Sequence, residues 1–319
     1  MSNRDKYSAC VKDCPSIPLF LLPWWMDVVC GETNWDVCLT FDKGNKLRGI
    51  LVYHLKKKYG LKFITQPPLT PYTGIWLEYE QGMTHYRRNR FEKKTISALL
   101  MQLPSIAWIE QRIHYNLTNW LPFYWQKFRQ TTRYTNLLNT QLPIGTLYQN
   151  IRYNIRWSIR QANKNNIQIT HGNQFFEEFY QIYSLSAKNN GIQFLPKHKL
   201  ERIHQAIQEM EAGDIFLATD ENDQVHAGAY ILWDKKSAYY WLGASDERYR
   251  KSGAVPLLLW KVIQVCAEKA VQFDFDGSMN EGTEQFFSAF GTSQTPCFLL
   301  TKCNDRFWET IFLITNRRR

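Results

Sequence analysis

Arg152, Arg156, Arg160 and Lys164 recur at every fourth residue. On a helix this interval keeps four cations on one stripe, beside an apolar stripe of Ile151, Ile155 and Ile159. The nearest acids, Glu177 and Glu178, belong to the next predicted helix, so local ion pairing is not evident. Such a row suits a ligand with several phosphates, since arginine grips phosphate with two N–H groups; a solvated helix face is the plainer alternative. A second anion signal lies in the loop 244–255, where Tyr249, Arg250 and Gly253 precede a long apolar helix. Free backbone N–H groups and the helix dipole both favour an anion there, and Tyr249 could cover it. Asp274 and Asp276 alternate along a predicted strand and so share one face. Asp276, beside Gly277-Ser278 at the strand end, is the better candidate to take a proton from an attacking amine; a cap or a salt bridge is the structural alternative. Tyr239 and Tyr240 face opposite ways on an earlier strand, so one or the other could serve as acid or substrate clamp, and Tyr240 is the candidate.

Other chemistries find little support. Ser158 and Ser278 have no histidine at a recognised spacing, and G-x-S-x-G is absent. His226 lies within a predicted strand and reads as a packed or surface residue. No P-loop, dinucleotide fingerprint or metal motif occurs. The seven cysteines form no CxxC pair, which fits a reducing cytoplasm better than a disulfide scaffold. MSNRDKYSAC lacks the pattern of a signal peptide. Ile17–Cys30 is interrupted by Pro18, Pro23 and Asp27, and is too short to span a bilayer.

Charge is unevenly distributed along the 319 residues. Residues 1–145 hold 19 Lys and Arg against 10 Asp and Glu, so nearly all of the net +10 lies in the front half. That field attracts phosphates, nucleic acid or an anionic membrane face. Arg317–Arg319 could touch an anionic surface too. Aromatics reach 15%, and the cluster Trp120, Phe123, Tyr124 and Trp125 could stack on bases or sugars.

The alternation of 36–41 and 46–54 about Asp-Lys-Gly-Asn predicts a hairpin. Further strands are predicted at 61–66, 106–113 and 132–138, with a helix at 86–103. In the second half, helices are predicted at 147–165, 174–188, 197–212, 254–270 and 282–290. Strands fall at 167–170, 214–219, 225–233, 238–243, 271–275 and 296–300. Asp36 aligned with Asp214, an offset of 178, brings Val37 onto Ile215, Leu39 onto Leu217 and Asp42 onto Asp220 without a gap. The shared turn predicts a duplicated fold.

Several segments resemble the Fem aminoacyl transferases and their FemAB-like relatives, which are double-GNAT acyltransferases. They are Pro23-Trp-Trp-Met-Asp27 with Trp35-Asp-Val, the loop Gln66–Gly74, Tyr134–Leu138, Tyr239–Ser245, Phe273–Ser278 and Phe286–Gly291. The resemblance implies a mixed α/β (α+β) fold of two tandem GNAT-like domains, 1–145 and 146–319, each a mixed sheet flanked by helices, with a ligand channel between them. It implies an acyltransferase without a metal. The expected reaction moves an acyl group, from acyl-CoA as co-substrate, to an amine of a small molecule or a cell-envelope precursor bearing phosphate. Arg250 and Gly253 match the family's Arg/Gln-x-x-Gly-x-Gly/Ala pyrophosphate loop, while Val255 departs from it. Aminoacyl-tRNA remains the alternative donor, although 174–188 and 197–212 are too short for the helical arm many Fem enzymes carry. A non-catalytic binder of polyanions or polysaccharide is the competing class.

Overall fold

A computed structural model describes residues 2–58, 60–191, 194–277 and 279–304. Ser278 and the Arg317–Arg319 tail lie outside the described residues. In chain order the strands are β1 (Trp35–Phe41), β2 (Leu47–Lys58), β3 (Leu61–Thr65), β4 (Gly74–Leu77), β5 (Trp108–Ile113), β6 (Arg129–Asn139), β7 (Gln168–His171), β8 (Gly213–Thr219), β9 (Val225–Trp233), β10 (Ser237–Ser245), β11 (Gln272–Asp274) and β12 (Ser293–Cys303). The helices are α1 (Asn3–Cys10), α2 (Pro23–Cys30), α3 (His85–Leu100), α4 (Leu121–Trp125), α5 (Ile144–Asn150), α6 (Tyr153–Lys164), α7 (Phe176–Asn189), α8 (Lys197–Glu209), α9 (Ala254–Cys266) and α10 (Glu281–Ser288). Two α/β units result, each a mixed sheet with helices packed on it.

The first unit comprises residues up to Arg133 and the described residues from Pro296 onward; the second is Tyr134–Thr295. The expected boundary after residue 145 is therefore not where the packing divides. The chain leaves the first unit within β6 and returns within β12, whose residues Phe298–Cys303 pair antiparallel with β5. A strand that completes a distant sheet gives no local signal of which unit it belongs to.

In the first unit β1, β2 and β3 form an antiparallel meander, β4 pairs with β2, and β3 runs parallel to β5. Helix α3 buries Ile96 and Leu99 with Leu51, Ile64, Ile75 and Ile109 in one core. Glu92 faces the same interior. Its carboxylate accepts from Tyr79 Oη at 2.9 Å, Arg88 Nε at 3.0 Å and Asn119 Nδ2 at 2.9 Å. A buried carboxylate survives only with such partners.

The second unit has the order β6-β11-β10-β9-β8-β7, antiparallel except for the β11–β10 pair. Its core is filled by α9, with Leu258, Leu259, Val262, Ile263 and Cys266 buried, and by Ile155, Ile159 and Ala162 of α6. The two hairpins match residue for residue. Asp36 pairs with Tyr53 and Thr40 with Gly49 in one; Asp214 pairs with Ile231 and Ala218 with Ala227 in the other. Each breaks register one residue later, at Phe41 and at Thr219. Asp42 Oδ1 accepts the N–H groups of Gly44 and Lys46 at 2.9 and 3.0 Å, and Asp220 Oδ1 those of Asn222 and Gln224 at the same distances. Asn45 and Asp223 both take positive φ, 60° and 58°. The offset of 178 thus carries over to the hydrogen bonds.

The sequence missed α1, α2, α4 and β4, and it read one helix where α5 and α6 stand. Replacing Glu92 by Ala strands three donors in the first core. The unfolding free energy measured by chemical denaturation is expected to fall by about 3 kcal/mol.

Candidate functional site

Two neighbouring strands of the second unit part company. β10 and β11 pair in parallel only over Ser237–Tyr239 with Gln272–Asp274, and β10 then continues alone on that side to Ser245. Asp274 ends the ladder. It is fully buried, and its carboxylate accepts from the Thr135 hydroxyl and, at 2.9 Å, from the N–H of Asp276. Asp276 adopts φ 47° and turns the chain, and the Gly277 N–H donates to Thr135 Oγ1 at 2.9 Å. A Cβ on Gly277 would overlap the Tyr134 carbonyl, so only glycine lets the turn sit this close to β6. The expectation that Asp274 and Asp276 alternate along one strand is corrected here. The strand stops at Asp274, whose carboxylate organises the turn, while Asp276 is half-buried beyond it.

Tyr240 follows the last β10–β11 pair. A bulge at Trp241 shifts the β10–β9 register there, from Tyr240 opposite Ile231 to Leu242 opposite Tyr230. The Tyr240 ring meets Phe287 edge-on at 5.8 Å, and its hydroxyl lies where a side chain of Gly243 would be. Burial pushes the phenol up to about 12. Tyr239 points the other way, fully buried, and its hydroxyl donates to Asp234 Oδ2 at 3.0 Å. Gly243 is a site residue that sequence reading passed over; a glycine inside a strand is itself the signal of close approach.

Beyond Ser245 the chain reaches the start of α9. Gly253 is left-handed at φ 75° and caps the helix without a side chain. A Cβ there would overlap the carbonyl oxygen of Ser158 on α6. Ser252 Oγ accepts the Ala254 N–H at 3.2 Å, and Pro256 has none to give. The N–H groups of Lys251, Gly253 and Val255 have no partner among the described residues. Arg250 is exposed. Tyr249 does not stand free. Its ring stacks on buried His226 at 3.9 Å and 5°, with the Arg248 guanidinium 5.4 Å from its centre. His226 Nε2 in turn lies 3.3 Å from Asp220 of the hairpin turn.

The cationic row is reorganised. Ile151 and Arg152 are extended, with ψ of 133° and 143°, and split the expected helix in two. The Arg152 N–H donates to the Ala289 carbonyl at 2.8 Å, and Gly291 makes room for Asn150. Arg152 therefore caps α6 instead of standing in its stripe. Arg156, Arg160 and Lys164 remain on the helix. Arg156 is half-buried with its Nε sealed from water and without a hydrogen bond, and Arg160 lies 5.7 Å from the Tyr153 ring centre. At 100° per residue these three sit about 120–160° around α6 from Ser158 and Ala162, which meet Gly253. The structure thus gathers Tyr240 and Asp276 at the base of the strand splay and Arg250 with Gly253 at its open end, and leaves the three cations on a different side of α6. Among the described residues no three His, Cys, Asp or Glu side chains assemble as a metal centre.

Asp246 fastens the loop. Its buried carboxylate takes the Arg248 N–H at 2.9 Å and the guanidinium at 2.6 Å through Nη2. Those bonds from Arg248 hold the carboxyl below its usual range. Its stabilising effect is therefore complete above the ordinary carboxylate range and is lost as pH falls through the depressed folded value. Asp246→Asn is expected to melt lower than the parent at pH 7, with the gap closing below about pH 4.

Residues 149–287 match the model of the acetyltransferase (GNAT) domain. No curated protein matches the chain by sequence. Among solved structures, FemX has a TM-score of 0.69 at 13% identity, over 92% of this chain and 95% of that one. The C-terminal domain (DUF2156) of a putative lysylphosphatidylglycerol synthetase from Agrobacterium fabrum has a TM-score of 0.57 at 11% identity, over 98% and 95%. L-PGS from Bacillus licheniformis has a TM-score of 0.54 at 11% identity, over 88% of each chain. At these identities the likeness is one of fold. Residues 149–287 are thus an acetyltransferase (GNAT) domain, and the chain as a whole is similar in fold to FemX.

Proposed function

We propose that the protein transfers an acyl group from acyl-CoA to a primary amine in the second unit. One observation carries the reading: β10 outruns β11 by six residues and leads into a helix whose first turn begins at left-handed Gly253. The residues present fit a diphosphate there. Arg250 supplies charge, and the N–H groups of Lys251, Gly253 and Val255 supply donors. Pro256, which has no N–H, thins that donor set, and Val255 stands where the family pattern has a small residue. The co-substrate supplies a thioester carbonyl already activated toward an amine.

The chain's own part is largely positioning, which brings two bound reactants to effective concentrations far above those in solution. Asp276 takes the proton that the attacking amine releases. Tyr240, whose phenol carries its proton at neutral pH, gives a proton to the departing sulfur. No covalent enzyme intermediate is needed. The acceptor is an amine on a phosphate-bearing molecule of the cell-envelope kind, entering beside Asp276 and Tyr240. The fold shared with lysylphosphatidylglycerol synthetases supports an envelope acceptor.

A second reading takes aminoacyl-tRNA as the donor. The separation of Arg156, Arg160 and Lys164 from the α9 loop favours it, because a polynucleotide backbone needs cations beyond a diphosphate pocket. The two readings part in one titration. Acetyl-CoA at a hundredfold its dissociation constant is expected to stabilise the protein by about 2.7 kcal/mol, read as a rise in melting temperature, and Arg250→Ala is expected to reduce that rise. No shift at millimolar acetyl-CoA, with binding of charged tRNA instead, would overturn the CoA reading. Asn tolerates the left-handed backbone as Asp does, so Asp276→Asn removes the charge and keeps the turn. Its kcat is expected to fall about 100-fold or more with acetyl-CoA binding unchanged; full turnover would remove Asp276 as the base.

A further inference from the structure

Helix α3 carries Arg87, Arg88, Arg90, Lys93 and Lys94 but a single acid, Glu92. That acid is buried and pairs with Arg88. Among the described residues Arg87, Arg90, Lys93 and Lys94 enter no ion pair. Helical rotation brings Tyr86, Arg90, Lys93, Lys94 and Met101 onto one face, where they line a shallow depression. Tyr86 is 74% exposed and Met101 78%. The short helix α4 continues the patch. Tyr124 and Trp125 are more than half exposed, Leu121 lies open beside them, and the Lys93 ammonium sits 5.6 Å from the Trp125 ring centre. Single exposed apolar residues need no explanation. Five of them on two neighbouring helices, among four unpaired cations and no exposed acid of α3, do.

We propose that the α3–α4 face is a docking surface for an anionic membrane, with acidic phospholipid headgroups on Arg87, Arg90, Lys93 and Lys94, and with Tyr86, Trp125, Met101 and Leu121 at the boundary with the acyl chains. Charge complementarity selects an anionic partner, and the apolar tips select among anionic partners. Met101 and Leu121 gain nothing against a phosphodiester backbone, whereas such side chains enter the headgroup–acyl boundary readily. Tyrosine and tryptophan settle at that same level. Stacking of a base on Trp125 would compete with the cation already over its ring. No helix of the described residues is long and apolar enough to cross a bilayer. The proposal is independent of which acyl donor the second unit uses.

The test is co-sedimentation of the full chain with phosphatidylcholine vesicles, with and without phosphatidylglycerol. Binding is expected only to the phosphatidylglycerol vesicles, and to weaken with salt. Each cation removed should weaken it about fivefold, so Lys93→Ala with Lys94→Ala lowers it about 25-fold. Trp125→Ala should weaken it at high salt as well, where only apolar insertion remains. Lys56→Ala with Lys57→Ala, an exposed pair on β2, should change it less than about twofold if the patch is specific. Melting shifts with acetyl-CoA, measured on the same variants, keep a failure here distinct from a failure of the donor reading. The proposal is overturned by absence of phosphatidylglycerol-dependent binding, by equal losses in the Lys56/Lys57 variant, or by an unaffected Trp125→Ala. Loss of tRNA binding with unaltered vesicle binding in the Lys93/Lys94 variant would assign the face to nucleic acid instead.

Discussion

A carboxylate buried in a core has to be satisfied at short range, and Asp274 is satisfied in part by bending its own chain. It takes the Thr135 hydroxyl from β6 and the N–H of Asp276 two residues ahead. The second bond is possible only if the strand ends, and Gly277 then fits against β6 because it has no side chain. β11 is therefore three residues long beside a nine-residue β10. The splay, the exit of β10 into the α9 loop and the positions of Tyr240 and Asp276 all follow from that one local closure.

The two units show how one scaffold is specialised. Position 48 in the first hairpin corresponds to position 226 in the second. Arg48 reaches Glu80 at 2.9 Å and Asp42 at 4.0 Å, while His226 reaches Asp220 at 3.3 Å. Each is covered by a ring, Phe91 over Arg48 and Tyr249 over His226. A basic group against the turn aspartate is thus shared. The helices differ at their starts. Thr84 caps α3 with its own side chain, which accepts the Arg87 N–H. Gly253 has none; Ser252 Oγ accepts the Ala254 N–H in its place, and the Val255 N–H has no partner among the described residues. The acetyltransferase (GNAT) match falls within the second unit, and the α3 face of the first is available for a different partner.

Much of the scaffold was legible in the residues. The hairpin at 36–54 and its copy at 214–233 follow from alternation and from an aspartate placed to accept two turn N–H groups, and these are local causes. Helix α9 follows from its apolar run. The site was less legible. Arg152 looks helical by spacing, yet its N–H is drawn to the carbonyl of Ala289. Asp276 looks like a strand residue, yet its neighbour Asp274 pulls it into a left-handed turn. Gly243 looks like a weak strand position until the Tyr240 hydroxyl is seen to occupy the space.

By itself the sequence determined the fold class, the duplicated hairpin, the glycine-led helix and the surplus of cations in the front half, because each depends on neighbours within a few residues. Only the tertiary structure decided where β11 stops, which cations stay together and which unit β12 completes. Those outcomes depend on hydrogen bonds between residues more than a hundred positions apart, such as Thr135 with Asp274 and Arg152 with Ala289. No local pattern encodes such partners, since a buried polar group takes whichever donor or acceptor the packed chain brings within reach.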